Sequence, residues 1–194
     1  AFYNEVTHHY WEGKQGADVF ALAFGLVPES DRKKVFAALL EHLEKINYHF
    51  DTGILATPLL LKVLTENGRA DLAYRVMNQR DFPSYGYLAD KKNNTLWETW
   101  NGDGNDEGCG YCHPMFGSVV AWFYNSLAGI KPDLSNPGMK HFYVEPVIIT
   151  SLKYCKATYD SLYGKIRSSW KIDENGNLNL QVEIPANTSA TVTI

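Results

Sequence analysis

The chain has 194 residues, 45% of them hydrophobic and 21% charged, a globular composition that allows one domain or two small ones. A formal net charge of -4 offers no basic surface for phosphate, and no apolar run approaches the ~20 residues of a membrane span, so neither nucleic acid nor a membrane is expected as a partner. Three cysteines, Cys109, Cys112 and Cys155, are too few for a disulfide scaffold and leave the redox compartment open.

The stretch from Ala1 to Val6 has neither the charged nor the apolar part of a signal peptide and reads like the middle of an element, as if cut from a longer chain. Helical spacing begins at 15–26, where Val19, Leu22, Ala23 and Leu26 share a side. From Ser30, a plausible N-cap with Asp31 in the first turn, apolar residues fall at Val35, Phe36, Leu39, Leu40, Leu43 and Ile46. The next helix is punctuated by Thr57 as cap, Pro58 at the first position and Gly68 as stop. The segment 70–79 follows, with Leu72, Val76 and Met77 on one side. The segment 114–128 is apolar nearly all round, which predicts one helix buried on most sides and ended by Gly129.

After Pro132 the period changes. Ile166, Ser168, Trp170 and Ile172 share one strand face, Asn175-Gly176 supplies a hairpin turn, and Leu178, Leu180, Val182 and Ile184 return. Ala190, Val192 and Ile194 suggest a further strand. Helices followed by strands, without interleaving, imply an α region joined to a separate antiparallel β-sandwich, with the boundary in the Pro/Asn/Ser/Gly stretch 133–138. The division expected is 1–132 and 139–194.

Between 80 and 113 lies a long connection of the kind that is more often functional than accidental. It carries Glu98 between Trp97 and Trp100, a carboxylate beside aromatic rings. Sugar hydrolysis uses that pairing, a base for water next to a surface for the ring. On residue context alone, a solvated surface glutamate is the commoner reading. Asp103, Asn105 and Glu107 alternate faintly like a calcium loop but lack the distal bidentate Glu, which favours a solvated loop. Cys109-Gly-Tyr-Cys112-His113 matches the haem-attachment pattern, but a disulfide or two plain thiols is the better reading. His42 reads as solvated, and His49 as part of a structural turn with Asp51 nearby. No metal site and no cofactor is expected.

Several stretches, in order along the chain, resemble the α-L-rhamnosidases of glycoside hydrolase family 78. They are Gln15-Gly-Ala-Asp-Val-Phe-Ala-Leu-Ala-Phe-Gly-Leu-Val-Pro28, Thr52-Gly-Ile-Leu-Ala-Thr-Pro58, Ala70-Asp-Leu-Ala-Tyr-Arg75, Tyr85-Gly-Tyr87 and Thr95-Leu-Trp-Glu-Thr-Trp100. Tyr159-Asp-Ser-Leu-Tyr-Gly-Lys-Ile166, Ser169-Trp170 and Ile184-Pro-Ala-Asn-Thr188 resemble the family's C-terminal β-domain. The resemblance implies a partial (α/α)6 toroid of helical hairpins followed by a C-terminal antiparallel β-sandwich. It also implies an inverting hydrolase acting on terminal α-L-rhamnosides. Glu98 is then the general base, His113 a sugar contact, and Trp97, Trp100 and Tyr87 substrate-binding residues.

The general acid would lie upstream, outside this chain, which alone would then be inactive. The partners implied are a rhamnoside substrate and either self-association or association with the upstream part. The chain departs from the family at Cys112 and Pro114, where Asn and Tyr are usual around the histidine, and at Asn101, often Asp. Two other readings stay open. One is a non-catalytic carbohydrate-binding or scaffold piece, and the other is an (α/α)6 hydrolase of another sugar.

Overall fold

A computed structural model describes residues 2–91, 95–101 and 110–194. The chain is helical first and sheet-forming afterwards, in two compact units, Ala1–Val119 and Val120–Ile194.

In the first unit α1 (Gln15–Ala23) packs against α2 (Glu29–Lys45) and α3 (Thr57–Glu66), and α3 packs against α4 (Ala70–Met77). The contacts are made by the apolar faces that the spacing marks out. Val19, Leu22, Val35, Leu39, Leu43, Leu60, Leu61, Leu64, Ala73 and Val76 are buried. Each large side chain so buried stabilises by about 1.5–3 kcal/mol.

Helix starts differ from expectation by two residues in α2 and one in α3, for local reasons. Pro28, with φ already near helical values and no N–H to lose, precedes α2 and accepts from the amides of Asp31 and Arg32, so Ser30 falls inside the first turn. Ala56 takes the cap position of α3, because the Thr57 hydroxyl turns back to the Gly53 carbonyl at 2.9 Å and the Thr52 hydroxyl at 2.8 Å. The connection 80–113 is not wholly irregular. It contains the short α5 (Tyr85–Asp90), whose first turn is capped by the buried Ser84 Oγ accepting from the Tyr87 amide at 3.0 Å.

The expected single helix over 114–128 is broken. In the first unit α6 (Pro114–Gly117) ends where both the Ser118 amide and hydroxyl return to the Met115 carbonyl. The second unit opens with α7 (Val120–Trp122) and a π-helical turn, Phe123–Leu127, in which the Ala128 amide reaches back to Phe123. Nor is the segment buried on most sides. Phe116 and Trp122 are closed to solvent, but Val120 is 49% and Phe123 36% exposed.

Two three-stranded sheets follow. One has the order β1 (Ile130–Pro132), β2 (His141–Val144), β6 (Ser189–Val192). The other is β3 (Tyr154–Ser161), β4 (Gly164–Ile172), β5 (Leu178–Glu183). All pairings are antiparallel except β2 with β6, which run parallel in the register His141 opposite Ser189 to Val144 opposite Val192. Both sheets supply one core: Ala128, Ile130, Met139, Phe142, Val144 and Ile166, with Cys155, Ala157, Val182 and Ala190 packed around it.

The alternation in β4 holds, with Ile166, Ser168 and Trp170 buried. Ser168 Oγ donates to the Ala128 carbonyl and Trp170 Nε1 to the Leu127 carbonyl, each at 2.7 Å, so the strand satisfies carbonyls left open at the end of the π turn. Ile184, expected to continue the inward face of β5, lies beyond the strand and is exposed. Gly129 has a positive φ of 74°, and a Cβ there would sit 2.2 Å from the Pro146 nitrogen, so only glycine fits this turn.

In the 133–138 stretch Asp133 gathers the Ser135 amide and hydroxyl, the Asn136 side-chain amide and His141 Nδ1, all within 2.9 Å. These donors, the Ser135 hydroxyl and the Asn136 amide foremost, hold its carboxyl well below the usual carboxylate range.

Candidate active site

Two short stretches of the first unit lie side by side. The Glu98 amide donates to the Gly110 carbonyl at 2.9 Å, and the His113 amide to the Leu96 carbonyl at 2.8 Å. The Gly110 amide in turn donates to Glu98 Oε2 at 2.9 Å. This pairing brings Glu98 and His113 together over one glycine. A Cβ built on Gly110 would lie 3.3 Å from Glu98 Oε2 and 4.0 Å from His113 Cδ2.

His113 also caps α6. Its Nδ1 accepts from the Met115 amide at 3.4 Å, which places the ring proton of the neutral imidazole on Nε2. Pro114 at the first helical position and His113 before it make a local start signal, and that start fixes the imidazole beside the Glu98 stretch.

The tryptophans occupy another layer. Trp100 is 9% exposed, with Phe50 stacked on its ring at 5.0 Å, Phe116 at 4.2 Å and Tyr85 edge-on at 5.2 Å. Its indole N–H donates to the Thr52 carbonyl at 2.8 Å. Trp100, expected from the sequence to bind substrate, thus lies among the rings of Phe50, Tyr85 and Phe116 and is tied to the Thr52–Thr57 turn.

Trp97 is 6% exposed, with Tyr111 edge-on at 6.1 Å. Tyr87 packs edge-on against Phe82 with Lys91 over its ring, and no hydrogen bond or ring contact among the described residues joins it to Glu98 or His113. The Tyr85 hydroxyl donates to the Phe116 carbonyl at 2.8 Å, and burial pushes this phenol far up. Phe50, Tyr85 and Phe116 were not among the expected site residues. Nothing in a sequence pairs Trp100 with rings 15, 16 and 50 positions away. Tyr111, also passed over, is 50% exposed beside the Glu98 pairing and offers the open aromatic surface that Trp100 does not.

The calcium-like alternation of Asp103, Asn105 and Glu107, and Cys109 of the haem-like pattern, lie outside the described residues. Among the described residues no group of three or more His, Cys, Asp or Glu is placed to hold a metal ion, and no helix is long and apolar enough to cross a membrane. His42, expected to be solvated, meets Asp51 at 3.2 Å. His49 closes a turn, as expected, with its Nδ1 3.0 Å from the Ile46 carbonyl, and its Nε2 meets Asp81 at 2.8 Å. His9 Nδ1 meets the buried Asp18 at 2.6 Å, where desolvation raises the Asp18 carboxyl.

Residues 1–127 match the model of the bacterial α-L-rhamnosidase six-hairpin glycosidase domain, and residues 129–194 match the bacterial α-L-rhamnosidase C-terminal domain. The chain belongs to the bacterial α-L-rhamnosidase family.

Among its rhamnosidase relatives, an α-L-rhamnosidase of Streptomyces avermitilis is 37% identical over 186 residues, covering 93% of this chain and 18% of the relative. The crystal structure of the Streptomyces avermitilis α-L-rhamnosidase complexed with L-rhamnose superposes with a TM-score of 0.87 at 35% identity, over 98% of this chain and 19% of that one. The α-L-rhamnosidase structure from Dictyoglomus thermophilum gives 0.83 at 35% identity, over 92% and 20%. The chain thus spans about a fifth of the length of the rhamnosidases it matches. Both Glu98 and His113 fall within the six-hairpin match.

Proposed function

We propose that this chain supplies the water-activating side of an inverting α-L-rhamnosidase, with Glu98 as general base. The observation that carries the reading is the convergence of the Glu98 carboxylate and the His113 imidazole over Gly110 in a chain of rhamnosidase ancestry. Glu98 takes a proton from water as the water oxygen attacks the anomeric carbon of a terminal α-L-rhamnoside. The glycosidic C–O bond breaks on the opposite side through an oxocarbenium-like transition state. A carboxylic acid about 6.5–9.5 Å from Glu98 protonates the leaving oxygen. We assign that acid to polypeptide outside these 194 residues, since the rhamnosidase relatives are about five times as long.

His113, with its Nε2–H available as a donor, is the proposed contact to a sugar hydroxyl. Tyr111, Tyr87 and the edge of Trp97 are the proposed flanks, and Trp100 keeps the loop in place from behind. The chemistry falls to the helical region 1–132, and the sheet region 139–194 takes no part in it. The exposed Val120 and Phe123 are the surface through which the chain is proposed to self-associate or to join the rest of the enzyme. An inverting enzyme releases β-L-rhamnose first. Proton NMR of an aryl α-L-rhamnoside digest, recorded before mutarotation, should show the β-anomer accumulating ahead of the α. Prior appearance of the α-anomer contradicts the mechanism.

A further inference from the structure

Resting on the reading of Glu98 as the base, we infer that Gly110 is a positioning residue. Its amide fixes one carboxylate oxygen of Glu98, and its missing side chain lets the carboxylate lie against it without being pushed aside. Two observations carry this. The first is that Glu98 and Gly110 are tied twice, main chain to main chain and Gly110 N–H to Glu98 Oε2, each at 2.9 Å. The terminal torsion of a glutamate is broad and nearly two-fold, so the two carboxylate oxygens are otherwise interchangeable. An amide donating to an ionised oxygen is a charge-assisted bond and breaks that symmetry. Oε2 is held, and Oε1 is the oxygen assigned to take the proton.

The second observation is spatial. A Cβ at residue 110 would stand 3.3 Å from Glu98 Oε2 and 4.0 Å from His113 Cδ2, between the two groups assigned to water and sugar. The first distance is tighter than an ordinary Cβ contact, so a methyl group there pushes the held carboxylate aside and turns Oε1 away with it. Gly110 does not have the left-handed backbone that would by itself demand glycine. Space, rather than conformation, is what glycine supplies at this position. Cys109-Gly110-Tyr-Cys112-His113 is therefore a stretch whose glycine serves the base and whose histidine faces the same spot.

The test compares G110A and E98Q in the full-length gene product with an aryl α-L-rhamnoside. G110A should lower kcat roughly tenfold or more, with KM within about threefold and Tm unchanged, because an interaction of the transition state is lost rather than uniform binding. E98Q should lower kcat by about 10²–10⁴-fold. Normal kcat in G110A beside an E98Q so impaired overturns the role of Gly110 and leaves Glu98 as base. An E98Q with turnover within tenfold of wild type overturns the underlying reading instead. A G110A protein with a lowered Tm and kcat and KM both impaired marks a merely structural glycine. Should G110A fail to fold, the 15N-labelled wild-type chain decides. The Gly110 amide resonance should follow the protonation of Glu98 through an acid titration and lose that dependence in E98Q. An amide indifferent to Glu98 overturns the inference.

Discussion

Replacing Trp100 by Phe separates a brace from a sugar platform. The indole N–H is the donor to the buried Thr52 carbonyl at 2.8 Å, and phenylalanine removes it. Leaving a buried acceptor short of a donor costs about 1–3 kcal/mol; the Thr57 hydroxyl, 3.4 Å from the same carbonyl, keeps the loss toward the lower end. The smaller ring leaves a void of roughly 40 Å3 between Phe50, Tyr85 and Phe116, which at ~24 cal/mol per Å3 adds about 1 kcal/mol. In the 194-residue chain a total of about 2–3 kcal/mol corresponds to a fall in Tm of roughly 4–12 °C. Thermal melts followed by far-ultraviolet circular dichroism read the change without depending on tryptophan fluorescence. Rhamnose affinity of the full-length gene product, by calorimetry, should stay within a few-fold while kcat falls, because Glu98 is two residues away on the same loop. An unchanged Tm together with a large loss of rhamnose binding would refute the brace and return Trp100 to the sugar surface.

Further outcomes follow from the same contacts. Ser84→Ala should cost about 1 kcal/mol by uncapping α5, visible as a lower denaturant midpoint; an unaltered midpoint would mean that the cap is not used. The Asp133 carboxyl is depressed by its donors, so its contribution to stability is present above the unfolded value of about 3.9 and is lost as pH falls below it. Acid titration of Asp133→Asn should therefore show lower stability at neutral pH and a weaker decline toward pH 3, and parallel curves for the two proteins would contradict this. The 194-residue chain alone should hydrolyse no aryl α-L-rhamnoside and should self-associate in light scattering at tens of micromolar. Robust turnover, or a well-behaved monomer, would count against the proposed division of the enzyme.

Legibility of the fold followed the range of the interactions involved. Helix faces and the β4 alternation were readable because they are set within a few residues, and Pro58, Gly68 and Asn175-Gly176 punctuate the chain by backbone chemistry alone. The start of α2 was missed by two residues and that of α3 by one, because Pro28 preempts Ser30 and the Thr57 hydroxyl turns back rather than forward. An apolar run such as 114–128 conveys burial and not hydrogen-bond pattern, so neither the break at Ser118 nor the π turn shows in it. Period-two alternation identifies a strand without naming its neighbour, and the parallel partnership of β2 and β6 stayed hidden.

At the site, the Trp-Glu-x-Trp motif and the histidine before Pro114 marked the right stretches. Whether an indole faces a ligand or a core depends on Phe50, Tyr85 and Phe116, which arrive from elsewhere in the chain. The 2.9 Å approach of the Gly110 amide to Glu98 Oε2 exists only once 96–98 and 110–113 are side by side.

The most direct test of the account is Glu98→Gln in the full-length gene product. Hydrolysis of an aryl α-L-rhamnoside and binding of L-rhamnose are to be measured on the same preparation. Loss of the general base should lower kcat by about 10²–10⁴-fold while calorimetric affinity for the sugar stays within a few-fold, because the amide keeps the shape of the carboxylate and the Gly110 contact. Turnover within tenfold of wild type, with binding intact, would contradict Glu98 as the residue that activates water.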